Sequence, residues 1–142
     1  MVYLDTSALL KRYLPEAGSE MFEAYLSTLG PATISRLTLV ELRSALNRKR
    51  REGAISTEQE QAAATEIRID IQDGLLHVAP GGDQHFVAAL HLIERLGDIP
   101  LRTIDALHLA MAQDMNADEL ATADTIMARA ARAIGLNVAF FG

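Results

Sequence analysis

Short β-favouring runs alternate with helical stretches along the whole chain, and that alternation most narrows the folds open to it. Val2-Tyr3-Leu4, Ala32-Thr33-Ile34-Ser35, Leu75-Leu76-His77-Val78, Glu119-Leu120-Ala121-Thr122 and Asn137 to Phe141 read as strands. With helices between them, such strands pair in parallel through right-handed crossovers. The expectation is a three-layer α/β/α domain with a central, mostly parallel sheet and flanking helices, some stacked into a bundle. At 142 residues the chain has the length of one domain, spanning 1–142.

The helices are marked by apolar spacing and by breakers. Ser7 to Leu14 stops at Pro15, and Ser19 caps a helix running to about Leu29. Arg36 to Arg51 follows the second strand, with Leu39, Leu42 and Leu46 on one stripe. Ser56-Thr57-Glu58-Gln59 is a capping box for a helix closed by Gly74. Asp83 to Leu96 carries a stripe of Phe86, Ala89, Leu90, Ile93 and Leu96, and further helices run from Thr103 to Met115 and from Asp124 to Ile134. Pro80-Gly81-Gly82 is a turn, since the Gly-Lys-Ser/Thr of a phosphate loop is absent.

Four acids occupy comparable places in this pattern. Asp5 ends the first strand, Glu41 lies early in the helix after the second, Asp105 lies in the first turn of the helix from Thr103, and Asp124 follows the fourth strand. Each has an ordinary explanation. Asp5 and Asp124 suit N-caps, Thr38-Leu39-Val40-Glu41 fits a capping box, and Asp105 suits a helix dipole. Together they suggest more, because helix N-termini that follow parallel strands face one sheet edge, where α/β proteins bind ligands. Converging carboxylates repel one another, and a cation relieves that repulsion. Hard oxygen ligands suit Mg²⁺ or Mn²⁺ rather than zinc.

Asp5-Thr6-Ser7, Glu41 within Leu37-Thr38-Leu39-Val40-Glu41-Leu42, Asp105 within Leu101-Arg102-Thr103-Ile104-Asp105-Ala106-Leu107-His108-Leu109-Ala110, and Ala121-Thr122-Ala123-Asp124 resemble the PIN-domain nucleases. The likeness is strongest to VapC-type toxins of type II toxin–antitoxin pairs, and it runs from Val2 to the last strand. It implies a metal-dependent endoribonuclease in which Asp5, Glu41, Asp105 and Asp124 hold Mg²⁺ or Mn²⁺ and carry the catalysis. Ser7 and Thr122 match the family's supporting hydroxyls. It also implies an RNA substrate, an antitoxin protein covering the acidic pocket, and a homodimer.

Net charge is −6, which by itself opposes nucleic-acid binding. Acids gathered in a metal-binding pocket would account for much of that excess. Arg43, Arg48, Lys49, Arg50 and Arg51 follow Glu41 on its helix, and Lys11 and Arg12 follow Asp5. The basic run reads either as an RNA-backbone contact or as a solvated helix end that suits the dipole. His108, one turn after Asp105, reads as a packed histidine orienting that neighbour. His77, His85 and His91 have no ligand spacing. Tyr13, Leu37, Leu39, Leu46 and Met111 read as core or interface.

The chain has no cysteine, no run approaching a membrane span, and no leader-like start, so a cytoplasmic protein is expected. Two other functions compete with the nuclease. A phosphoaspartyl phosphatase or receiver domain wants a second Asp two residues after the nucleophile, and Ser7 stands there. A non-catalytic PIN fold binding RNA or protein would be favoured by loss of an acid, and all four are present.

Overall fold

The computed structural model describes all 142 residues. Five strands and seven helices follow in order: β1 (Val2–Leu4), α1 (Thr6–Tyr13), α2 (Ser19–Thr28), β2 (Ala32–Ser35), α3 (Arg36–Arg51), α4 (Thr57–Gln72), β3 (Leu76–Ala79), α5 (Asp83–Arg95), α6 (Thr103–Asp114), β4 (Glu119–Thr122), α7 (Thr125–Ala133) and β5 (Asn137–Phe140). The strands form one sheet in the order β3-β2-β1-β4-β5, and every pairing is parallel. Tyr3 stands opposite Thr33 on one side and Leu120 on the other, so β1 is central. The chain builds outward from β1 through β2 to β3, then crosses to β4 and β5. The switch in direction lies between β1 and β4, the position at which open α/β sheets form ligand crevices beyond their strand ends.

Side chains along β1 alternate between the two cores. Leu4 packs into a cluster with α1 through α4, including Leu9, Phe22, Leu42, Leu46 and Ile67. Tyr3 joins the opposite cluster with α5, α6 and α7, including Leu92, Leu109, Met127 and Ala131. A strand buried on both faces cannot slip in register without pushing its neighbours out of their cores. That fixes where Asp5 emerges. No helix is long and apolar enough to cross a membrane.

Strand ends double as helix caps. Asp5 is the N-cap of α1, accepting from the Ala8 N–H, and Asp124 caps α7 by accepting from the Met127 N–H. The box at the start of α3 uses Ser35 and Thr38, not Thr38 and Glu41, because the helix begins directly at Arg36. Glu41 is thereby freed from capping. At α2 the cap is Gly18 rather than Ser19, whose hydroxyl accepts from the Glu16 N–H. Gly18 has φ of +87°, and a Cβ there would lie 2.7 Å from the Phe141 carbonyl oxygen, so only glycine fits the turn.

The stripe expected on α5 is rotated. His85, Ala89 and Leu92 face inward, whereas Phe86, Val87 and Leu90 are exposed. His85 is held by two polar partners, accepting from the Gly82 N–H at Nδ1 and meeting Asp114 through Nε2 at 2.9 Å. Two satisfied nitrogens make this histidine a better core residue than its sequence setting suggests.

An ionic node joins the helices on the α1–α4 side. Arg12 donates to both oxygens of Asp70 in α4, at 2.7 and 2.9 Å, and to Glu23 in α2 at 3.0 Å. Tyr13 donates to Asp70 at 2.7 Å. Burial alone would raise the Asp70 carboxyl, but the hydrogen bonds from Arg12 and Tyr13 prevail and hold it below the usual carboxylate range. A carboxyl held lower in the folded than in the unfolded chain stabilises the fold above its unfolded value and loses that contribution as pH falls through the folded value. Asp70→Asn is therefore expected to lower unfolding free energy by about 1.5–3 kcal/mol at pH 7. The gap to the unsubstituted protein should close below about pH 4, as read by urea denaturation across pH.

Candidate active site

An open cleft of about 520 Å³ lies at the switch edge of the sheet, and Asp5, Glu41, Asp105 and Asp124 all line it. They arrive on four different elements or their caps: α1, α3, α6 and α7. α1, α3 and α7 each follow a strand, so their N-termini share one edge, and Asp105 in the first turn of α6 lines the same cleft. Ser7 and Arg48 also line the cleft, and Thr122 lies beneath it.

Asp5 is the most enclosed of the acids, 3% exposed. Its Oδ1 accepts from the Ser7 hydroxyl at 2.8 Å and from the Ala8 N–H at 3.0 Å, and its Oδ2 accepts from the Thr122 hydroxyl at 2.6 Å. Ser7 Oγ accepts in turn from the Ala123 N–H, and Thr122 Oγ1 accepts from the Asp124 N–H. The two hydroxyls therefore clamp Asp5 and tie it to the turn that delivers Asp124. Burial pushes the Asp5 carboxyl up, outweighing the hydrogen bonds from Thr122, Ala8 and Ser7.

Glu41 is held from two sides. Thr6 donates to its Oε1 at 2.7 Å, and the Nε2 of His108 makes a short contact with the same oxygen. Behind the imidazole, Tyr3 Oη lies 2.7 Å from His108 Nδ1 and 3.0 Å from Ser35 Oγ. An ionised carboxylate only accepts, so His108 carries its proton on Nε2. On the other side of the ring, Tyr3 Oη meets Nδ1 and donates to Ser35 Oγ. The assignment follows from completing the hydrogen-bond network. Ser35, Tyr3, His108 and Glu41 thus form a hydrogen-bonded chain running from the core to the cleft. Burial works against the Glu41 charge, but His108, Thr6 and Arg102 bring its carboxyl below the usual range. Burial raises the Tyr3 phenol to about 12. His108 orients a site acid, as its position suggests, but that acid is Glu41 rather than Asp105.

Asp105 and Asp124 share one partner. Arg102 donates to Asp105 from Nε at 3.1 Å and from Nη2 at 3.4 Å, and to Asp124 from Nη2 at 3.2 Å. No three His, Asp or Glu side chains are arranged as a ready-made metal cage. Each acid meets its own donor at the cleft: Ser7 and Thr122 for Asp5, Thr6 and His108 for Glu41, and Arg102 for Asp105 and Asp124. The donor set nonetheless fits a hard divalent cation. It consists of four carboxylates with hydroxyl support and contains no thiolate, and the Arg102 fork on Asp105 and Asp124 shows that this side of the cleft accepts positive charge.

The basic run divides. Arg43 pairs with Glu60 of α4 at 2.9 Å, and Arg50 contacts the same carboxylate. Arg48, seven residues after Glu41 and two helical turns along α3, lines the cleft instead. Sequence reasoning assigned no role to Thr6 or Arg102. A donor three residues before Asp105, at the mouth of a helix, was the available signal for the second.

An all-parallel α/β sheet with an acid-lined crevice at its switch point defines the class of protein to which this chain is compared. The PIN domain family model matches residues 2–133, and the chain belongs to that family. It is 32% identical over 139 residues to Ribonuclease VapC46 of Mycobacterium tuberculosis, covering 96% of this chain and 95% of the relative. Among solved structures it superposes on M. tuberculosis VapC20, described as a Sarcin-Ricin loop cleaving toxin, with a TM-score of 0.75, 18% identity and 96% of each chain covered. FitAcB from Neisseria gonorrhoeae gives 0.71 at 17% identity, covering 97% of this chain and 96% of that one. VapBC2 from Rickettsia felis, bound to a promoter DNA fragment, gives 0.70 at 18% identity with full coverage of both. At these identities the structural likeness carries the fold, including five parallel strands and their flanking helices.

The chain from Tyr3 through His108 to Glu41 has a measurable signature. Tyr3→Phe and His108→Leu each strand a buried polar partner and are expected to cost about 1–3 kcal/mol. The double variant should lose less than the sum, with a coupling of at least about 0.5 kcal/mol in urea denaturation. Additive losses would mean that the two side chains act independently.

Proposed function

We propose that this protein is a metal-dependent endoribonuclease that hydrolyses RNA phosphodiester bonds and serves as the toxin of a toxin–antitoxin pair. The observation that carries the reading is the delivery of four carboxylates, on four elements of a PIN-domain chain, to one cleft at the sheet's switch point. Asp5, Glu41, Asp105 and Asp124 are the proposed metal-holding and catalytic residues, with Mg²⁺ the expected ion and Mn²⁺ an alternative. When bound, such an ion activates water, neutralises a phosphodiester oxygen and steadies the leaving oxygen.

The protein's own residues have separable tasks. Ser7 and Thr122 fix both oxygens of Asp5, so its carboxylate holds one orientation. His108 and Thr6 fix one oxygen of Glu41, leaving Oε2 without a protein donor and available to a ligand. Arg48, at the cleft wall, is placed to meet a backbone phosphate of the RNA. Arg43 and Arg50 are held on Glu60 and serve the packing of α3 on α4.

The relatives named above include a ribonuclease and a toxin described as cleaving the Sarcin-Ricin loop, which supports the same role here, with an antitoxin protein as partner covering the acidic cleft. A homodimer and a cytoplasmic location complete the proposal.

Asp5→Asn tests it, since the amide keeps shape and can still accept from Ser7 and Ala8 while removing the charge. Outer-shell substitutions at metal sites cost roughly 10–100-fold, so loss of a proposed ligand should reduce metal-dependent RNA cleavage by more than about 100-fold. The fold should be retained, with stability equal or higher because like-charge repulsion is relieved. Undiminished cleavage by a folded Asp5→Asn protein would reduce Asp5 to a helix cap.

A further inference from the structure

Arg102 is the least enclosed member of the site, with its side chain 73% exposed, yet its guanidinium bridges two of the acids. Asp105 is 7% exposed at its side chain and Asp124 28%. A carboxylate as buried as Asp105 needs a compensating charge or its ionised form becomes costly. Arg102 supplies it from the N-cap position of α6, three residues away, in a geometry that engages both Asp105 oxygens and one Asp124 oxygen. Its other surroundings are loose: no carboxylate beyond Asp105 and Asp124 pairs with it. Little holds the guanidinium in place except the oxygens that a cation in the cleft would also use.

We propose that Arg102 is the site's resident counter-cation, which holds Asp105 and Asp124 apart from bulk solvent before a divalent ion arrives and competes with that ion for the same oxygens. The proposal rests on the metal-dependent reading of the cleft. Two effects act in the same direction. Metal binding must break the Arg102 fork, and a guanidinium left nearby repels the incoming charge. Arg102 thereby sets the metal affinity of the cleft as a positioning residue. Arg48 provides the contrast, because it lines the same cleft and forms no ion pair with any of the four acids.

The test titrates MnCl₂ into the full chain, free of RNA, by calorimetry, for the unsubstituted protein, Arg102→Gln, Arg102→Lys and Arg48→Gln. Exposed pairs are individually weak, so Arg102→Gln is expected to lower the Mn²⁺ dissociation constant by about three- to tenfold. Arg102→Lys, which keeps the charge and loses the fork, should fall between. Arg48→Gln removes equal charge without breaking a carboxylate contact and should change affinity less than about twofold. The Mn²⁺-induced rise in melting temperature should be larger for Arg102→Gln than for the unsubstituted protein, following the gain in affinity. Equal or weaker Mn²⁺ binding by Arg102→Gln, beside clear binding by the unsubstituted protein, would overturn the proposal and leave the metal reading standing. An equal gain in Arg48→Gln would also overturn it, by tracing the effect to general field. Failure of every variant to bind Mn²⁺ would overturn both.

Discussion

Four carboxylates gathered at one sheet edge repel one another, and the immediate surroundings of the cleft offset that repulsion. Asp5 is held without a cationic hydrogen-bond partner, by two hydroxyls and a backbone N–H. Glu41 relies on an imidazole and a hydroxyl, and Asp105 and Asp124 rely on one guanidinium. Each acid has its own device. A cation entering the cleft would have to displace the third device while leaving the first two in place. In the proposed site the Asp5 and Glu41 side is the wall that stays, and the Arg102 side the part that yields.

The fold and the site are held by the same atoms. Asp5 directly follows the central strand, caps α1 and faces the cleft, while Asp124, just past β4, caps α7 and faces the same cleft. Capping and site roles were competing explanations for these residues, yet a carboxylate has two oxygens. Asp124 accepts from the Met127 N–H with one and from Arg102 with the other. The helix N-termini also place partial positive charge around the acids, which further lowers the cost of assembling them. Tyr3 links the two levels most directly: buried in the core beneath β1, it orients through His108 an acid that lines the surface cleft.

Much of this arrangement was legible in the sequence, where local signals and tertiary demands agreed. Gly30-Pro31 and Ser35 bracket β2, and its bounds match the expected Ala32–Ser35. The alternation of strands and helices gave the parallel sheet, and acids at strand ends and helix starts gave the cleft. The errors came where a choice depended on contacts distant in sequence. Phe86 and Leu90 fit an apolar stripe on α5, but His85 displaced them from the interior because Asp114, 29 residues on, satisfies its second nitrogen. His108 lies nearer Asp105 in sequence but meets Glu41, 67 residues away, because Tyr3 fixes the ring from behind. The basic run looked uniform until α4 supplied Glu60 and drew Arg43 and Arg50 aside.

The proposed cation site joins these four acids, with its Arg102 side as the part that yields. Crystals of the full chain soaked in MnCl₂, with data collected near the manganese absorption edge, would test it most directly. The expected result is an anomalous peak enclosed by Asp5, Glu41, Asp105 and Asp124, with Arg102 withdrawn from Asp105 and Asp124. A peak elsewhere on the protein, or one among the four acids with the Arg102 fork unbroken, would contradict it.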